Sequence, residues 1–216
     1  MKENFVRGNE LQQSLLVEGD DDYHLCYHLL KHYQLEVLIP IEDKKGVQNL
    51  LRSLKVELKL KSRLGIIVDA DIDPIARWRA IQDRLRESGY RSVPDTPDGI
   101  GTILREGDLP VVGIWLMPDN KISGMLEDFA SLLRPPEDVL WPVAVGVVQQ
   151  VKSIETSLRF QDIYESKARI HTWLAWQKEP GKPVGQAITK GYLKADAALA
   201  QQFIDWIRKL FNLEAV

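Results

Sequence analysis

The stretch that decides the fold is residues 64–74, with the sequence LGIIVDADIDP. Its first half, LGIIV, is a continuous apolar run, which is typical of a strand buried on both faces of a parallel sheet. Its second half places carboxylates at Asp69, Asp71 and Asp73 and ends at Pro74, a residue that is favoured as the first of a helix. The stretch therefore predicts a buried strand, an acidic loop and the start of a helix.

Strand and helix patterns alternate on both sides of this stretch. The predicted strands are residues 14–17, 35–41, 64–68, 103–104 and 111–116. The predicted helices begin at residue 20 and then cover residues 47–58, 74–89, 124–133, the segment up to 154, 161–177 and 195–211. This alternation predicts an α/β fold, with a mostly parallel sheet flanked by helices. Because Pro135 and Pro136 mark a boundary, we expect an α/β core at residues 1–134 and a helical C-terminal extension at residues 135–216, packed together as one unit.

Composition excludes several classes of protein. The chain has 216 residues, 44% of them hydrophobic, and 28 basic against 31 acidic residues give a formal net charge of −3. A disordered chain would have fewer apolar residues, and a global basic field for nucleic acid is absent, so any such binding must use a local patch. The single cysteine, Cys26, excludes an intrachain disulfide and indicates a reducing compartment. The longest apolar run, residues 139–148, is too short to cross a membrane, so we expect a cytoplasmic protein.

Acidic residues follow three of the predicted strands. They occur at residues 18–22, at residues 69–73, and at Asp119 with Glu127 and Asp128. Because ligands of parallel sheets bind at the carboxyl ends of the strands, we expect these groups to share one site. Like charges brought together need compensation, and oxygen ligands without Cys or paired His suit Mg²⁺ or Mn²⁺. Such ions clamp phosphate oxygens.

The order of these motifs is similar to that of a known domain. The segment Leu15-Leu16-Val17-Glu18-Gly19-x-x-Asp22, followed by Asp69-x-Asp71-x-Asp73, resembles the Toprim domain of topoisomerases, bacterial primases and overcoming-lysogenization-defect (OLD) nucleases. The segment Gly124-Met125-Leu126-Glu127-Asp128-Phe129 resembles the Leu-Glu element of the OLD-like branch. Residues 167–187 look like those of a compact, uncharacterised bacterial family with a Toprim-like fold. The resemblance implies a Toprim-like, Rossmann-like sheet.

The resemblance also implies roles for individual residues. Asp69 and Asp71 would hold Mg²⁺ or Mn²⁺, with Glu18 as a further ligand or as the general acid/base. Lys167 would stabilise charge on the phosphate. The other carboxylates implied as ligands, for one or two ions in all, are Asp22, Asp73 and Glu127. The implied activity is metal-dependent cleavage or transfer of phosphodiesters in nucleic acid, DNA or RNA.

Two alternatives stay open. Because the chain lacks a Walker-A loop, it could be a non-catalytic partner or regulatory module of a separate ATPase, as in a split OLD-like system. A phosphatase of the haloacid-dehalogenase type would use Asp69 as its nucleophile, but that scheme expects Thr or Val in place of Asp73 and gives Glu18 no role.

Other conspicuous residues favour structural roles. His24, His28 and His32 lie on one helical face, but a single helix cannot aim histidines two turns apart at one ion, so a structural row is favoured. Two basic clusters flank the Asp69 strand, where they would be solvated or would contact a phosphate backbone. Their members are Lys55, Lys59, Lys61 and Arg63, and Arg77, Arg79, Arg84 and Arg86. The tryptophans expected in the core are Trp78, Trp173, Trp176 and Trp206.

Overall fold

A computed structural model describes residues 12–213 and contains a five-stranded sheet. The strands are β1 (Gln13–Val17), β2 (Ile41–Asp43), β3 (Arg63–Asp69), β4 (Thr102–Leu104) and β5 (Val111–Met117). Their order in the sheet is β2-β1-β3-β5-β4, and every neighbouring pair is parallel except β4–β5. The predicted α/β class is confirmed, and the architecture is Rossmann-like.

Eight α-helices flank this sheet within residues 12–213. They are α1 (Asp20–His32), α2 (Val47–Leu60), α3 (Pro74–Glu87), α4 (Leu126–Leu132), α5 (Leu140–Lys152), α6 (Glu165–Ala175), α7 (Val184–Thr189) and α8 (Ala198–Phe211). A 3₁₀ turn, Asp162–Tyr164, leads directly into α6. Among the described helices, none is both long and apolar enough to cross a bilayer.

The two faces of the sheet support separate hydrophobic clusters. Successive side chains of a strand point to opposite faces, so Ile66 and Val68 pack with α2 and α3. Ile67 packs on the other face with α1, α4 and the C-terminal helices. Both faces of β3 are therefore covered, which explains why its sequence is a continuous apolar run.

Glycines in the central strands β3 and β5 allow the last helix, α8, to pack closely against the sheet. A Cβ added to Gly113 would lie 2.5 Å from Cδ2 of Leu210 in α8, and one added to Gly65 would lie 3.2 Å from the same atom. Larger residues at these positions would lift α8 away from the sheet. The closest packing of the C-terminal helices against the strands therefore depends on two residues without side chains.

Two sequence-based predictions need correction, and one helix was missed. The strand predicted at residues 35–41 is wrong in position, because residues 36–39 form turns and pairing begins only at Ile41. Leu35 and Ile39 are buried there, so their apolar character reflects anchoring of the turns. Helix α7 was not predicted, since its six residues are too short to show a periodicity. Trp176 is 39% exposed and outside the core, whereas Trp78, Trp173 and Trp206 are buried as expected.

Candidate functional site

A cavity of 690 Å³ opens at the carboxyl edge of the sheet, where β1, β2 and β3 end. Six of the seven residues predicted for the site line it: Glu18, Asp22, Asp69, Asp71, Glu127 and Lys167. Parallel pairing of β1 with β3 brings their ends together, although many residues separate them in the chain. The structure thus gathers the acidic motifs at one place, as the strand order requires.

Backbone hydrogen bonds that link the ends of β1 and β3 with the start of α4 orient the side chains of Glu18 and Asp69. The backbone N–H of Asp69 donates to Glu18 Oε1 at 2.9 Å, which joins the ends of β1 and β3. The backbone N–H of Leu126, at the start of α4, donates to Asp69 Oδ1 at 2.9 Å. Each carboxylate is therefore oriented by one oxygen, and its second oxygen receives no hydrogen bond from the described residues.

Asp22 carries a buried oxygen without a partner. Its side chain is only 7% exposed, and its Oδ2 accepts a hydrogen bond at 3.1 Å from the backbone N–H of Gly19, the N-cap residue of α1. Its Oδ1 is buried and makes no hydrogen bond within the described part of the chain. An unsatisfied buried acceptor is costly, so this oxygen is suited to a ligand in the cavity.

Three of the carboxyl groups, Glu18, Asp22 and Asp69, have raised pKa values. Burial, followed by the charges of Glu18 and Glu127, raises the pKa of Asp22 to about 7. Burial, followed by the charges of Asp22 and Glu18, raises the pKa of Asp69 to about 9. Burial also raises the pKa of Glu18. Raised pKa values at neighbouring acids are typical of a site that binds a positively charged ligand.

Arg77 anchors the loop that follows β3. Its Nε donates to the backbone carbonyl of Asp69 at 2.9 Å, and its Nη2 pairs with Asp71 Oδ2. Asp71 has a φ of 55°, a conformation that Asp tolerates better than most residues. Reciprocal backbone hydrogen bonds with Gly124, of 2.9 Å and 2.8 Å, hold it there. Asp71 thus lines the cavity, and Arg77 partly neutralises its charge.

Lys167 reaches the cavity from the C-terminal helices. Its Nζ lies 3.3 Å from Glu127 Oε1 and 3.2 Å from Asp21 Oδ2. Burial disfavours the ammonium, but the charges of Glu127 and Asp21 outweigh it and raise the pKa of Lys167. Glu127 is 5% exposed, so Lys167 neutralises a buried charge in the first turn of α4.

Three acidic residues from the same motifs lie outside the cavity lining. Asp73 caps α3, because its Oδ1 accepts a hydrogen bond from the backbone N–H of Ala76 at 2.9 Å. Asp119 accepts hydrogen bonds from the backbone N–H groups of the turn that follows it. Asp128 accepts a hydrogen bond from the backbone N–H of Met125 at the start of α4 at 2.9 Å and another from Ser166 Oγ at 2.6 Å.

Sequence reasoning missed part of the lining. Lys45 comes from the loop before α2, and Ile163 and Tyr164 come from the 3₁₀ turn. The turn lies far along the chain from the acidic motifs and has no charge pattern that would have connected it to them. Only the packing of α6 beside α4 brings it to the cavity.

The histidine row is not part of this site. His28 Nδ1 lies 2.7 Å from Thr189 Oγ1 of α7, and His24 and His32 are exposed. Within residues 12–213, no group of three or more His, Cys, Asp and Glu side chains is arranged to hold a metal ion as it stands.

The strand order and the carboxylate-lined cavity define an α/β protein of Rossmann-like architecture with its site at the carboxyl edge of a parallel sheet. The chain belongs to the family described as "Protein of unknown function (DUF3226)", whose family model matches residues 12–212. Searches of curated proteins and of solved structures gave no match.

Proposed function

We propose that this protein cleaves or transfers phosphodiester bonds in nucleic acid, DNA or RNA, with one or two Mg²⁺ or Mn²⁺ ions at the cavity. The observation that carries the proposal is the meeting of Glu18, Asp22 and Asp69 at one cavity, together with the buried Asp22 Oδ1, which has no hydrogen-bond partner among residues 12–213. The order of the acidic motifs, which resembles that of Toprim domains, supports the same function.

The donors present fit a hard divalent cation. The sequence-predicted carboxylates of the lining offer oxygen ligands alone, which Mg²⁺ and Mn²⁺ prefer. Asp22 and Asp69 would hold the ion, and Asp71 and Glu127 border them. When bound, the ion supplies positive charge to phosphate oxygens and to the attacking and leaving groups.

The chain's own residues have distinct tasks around that centre. Glu18 is the candidate general acid/base, because burial raises its pKa and leaves it able to carry a proton. Arg77 fixes the direction of Asp71 by pairing with it. Lys167 brings a positive charge to the cavity wall, where it would stabilise charge on a phosphate.

The test combines Mn²⁺ binding by calorimetry with cleavage of labelled DNA and RNA. We expect Asp69→Asn to abolish Mn²⁺ binding and to reduce cleavage at least about a hundredfold, as removal of charge stabilisation at a reacting group commonly does. Asp73→Asn is the matched control: it removes the same charge from the same loop, keeps a capping side chain and should retain both properties. A wild-type protein that binds no divalent cation would refute the proposal.

The second candidate is a partner module of a separate ATPase, and the exposed face of α5 favours it. Val143 and Val147 are exposed four residues apart on this helix, and Val139 just before it is exposed at the same spacing. A contiguous apolar helix face is commonly a protein contact. Co-purification with an ATPase that is lost in Val143→Asp, together with cleavage only in the complex, would support this function. Cleavage by the isolated chain would count against it.

A further inference from the structure

One wall of the cavity is apolar and aromatic. Ile163 and Tyr164 line the same cavity as the carboxylates and are 49% and 50% exposed. Within the described part of the chain, no hydrogen bond reaches the Tyr164 hydroxyl and no aromatic ring packs on its ring. A half-exposed tyrosine has a flat apolar face and a polar edge, both of which are open to a ligand here.

The apolar wall continues past the cavity. A neighbouring depression of 210 Å³ shares Asp71, Met125 and Ile163 with the main cavity and adds Ile72, which is exposed. Met125, Ile163 and Ile72 therefore form a run of apolar side chains that continues past the main cavity, beside the polar side chains of Asp128, Asp162, Ser123 and Ser166 in the same depression. A ligand that follows them would place apolar or planar groups beside the acidic centre.

The charges around the cavity disfavour a double helix. Seven lining side chains are acidic and only Lys45 and Lys167 are basic, and Lys167 already pairs with Glu127 and Asp21. Affinity for duplex nucleic acid depends on cations placed along two phosphate backbones. A single strand has one phosphate backbone to neutralise, and base stacking on aromatic side chains adds to its affinity.

We propose that the cavity binds single-stranded nucleic acid, with one phosphodiester over Glu18 and Asp69 and an adjacent base against Tyr164 and Ile163. The inference rests on the proposed function, since bound cations must first offset the carboxylates. It assigns base recognition to the 3₁₀ turn before α6, which supplies Ile163 and Tyr164, and the phosphate chemistry to the strand ends.

The test measures binding of a short fluorescent thymidine strand by anisotropy with Ca²⁺ present, beside a duplex and an abasic strand of equal length. Loss of one stacked base weakens binding about fivefold to about a hundredfold. Tyr164→Ala should therefore weaken binding of the thymidine strand by this factor and leave binding of the duplex and of the abasic strand unchanged. Tyr164→Phe should bind as the wild type does. Trp176→Ala, which removes an exposed aromatic residue at the end of α6 outside the cavity, should also leave binding unchanged.

Each outcome decides the inference. Selective loss of thymidine-strand binding in Tyr164→Ala supports it. Equal loss for all three ligands, no loss, a wild type that prefers the duplex, or a free mononucleotide that competes as well as the strand would overturn it while leaving Mn²⁺ binding intact. A wild type without divalent-cation binding overturns the proposed function and this inference together.

Discussion

At the scale of single residues, Asp22 combines a structural and a chemical task. One of its oxygens accepts a hydrogen bond from the backbone N–H of Gly19 at the start of α1, and the other is buried without a hydrogen bond among residues 12–213. The cap fixes the rotamer of the side chain, so the second oxygen is held in place before any ligand arrives. A residue that stabilises a helix end therefore also presents a ligand atom.

The Lys167 ammonium group partly neutralises the carboxylates of the cavity, so its replacement should change Mn²⁺ affinity and cleavage in opposite directions. We expect Lys167→Met to lower the free energy of unfolding by about 1 kcal/mol, because buried Glu127 loses its partner while the partly exposed pair limits the cost. The freed carboxylates should bind Mn²⁺ more tightly, although cleavage falls. Calorimetric titration with Mn²⁺ and a cleavage assay measure the two effects.

Lys152→Met is the control for this change. Lys152 pairs with Glu165 at 2.5 Å between α5 and α6 and does not line the cavity. Its loss should affect stability and leave Mn²⁺ affinity as it is. Weaker Mn²⁺ binding in Lys167→Met would contradict the role of a competing cation.

At the scale of elements, the contact between α1 and α7 depends on Gly185. A Cβ at this position would lie 2.7 Å from the backbone carbonyl carbon and oxygen of His24, and backbone atoms cannot yield as a flexible side chain does. We expect Gly185→Ala to lower the free energy of unfolding by about 1–3 kcal/mol, as overpacking of a tight contact does. Chemical denaturation measures this directly.

Gly146 in α5 provides the matched comparison. Apart from the adjoining backbone of α5 itself, a Cβ there meets no atom of the described residues within 4 Å, so Gly146→Ala should stabilise the protein by about 0.5–1 kcal/mol through helix propensity. Similar effects of the two substitutions would show that the α1–α7 contact is not tight.

These elements also show what the sequence could reveal. The buried strand at residues 64–68 and the acidic residues after it were recognisable because burial on two faces and helix capping leave local patterns. Asp73 shows the limit, since a cap and a ligand have the same sequence pattern and only the structure places this residue outside the cavity. Tyr164 was not foreseeable, because its role depends on how α6 packs against α4.

At the scale of the whole molecule, the C-terminal helices complete the site that the strands begin. Phe203 and Trp206 of α8 pack against Trp115 of β5 in the main hydrophobic cluster. Through the same cluster α6 lies beside α4 and carries Lys167 to Glu127. The strand ends contribute most of the acidic groups, and the later helices contribute a cation and an apolar wall. Site assembly and folding of the core are therefore coupled.

This coupling predicts how stability depends on pH in the metal-free protein. The folded state raises the pKa of Asp69 from 3.8 to about 9 and that of Asp22 from 3.8 to about 7. For each group, between its unfolded and its folded pKa, the folded protein binds more protons than the unfolded chain. The free energy of unfolding must therefore fall as pH rises through this range.

From pH 7 to pH 9 we expect a loss of up to about 1.4 kcal/mol per pH unit for each such proton, measured by denaturation in EDTA. Burial lowers the pKa of His28 from 6.5, so this residue makes stability rise with pH, the opposite of Asp69 and Asp22. Its contribution is complete below pH 7. Asp69→Asn removes the principal group and should flatten the profile, while Asp83→Asn on the exposed surface of α3 should not. A wild-type protein whose stability is constant or rises over this range would contradict the electrostatic account of the cavity, because its carboxylates would then ionise without cost.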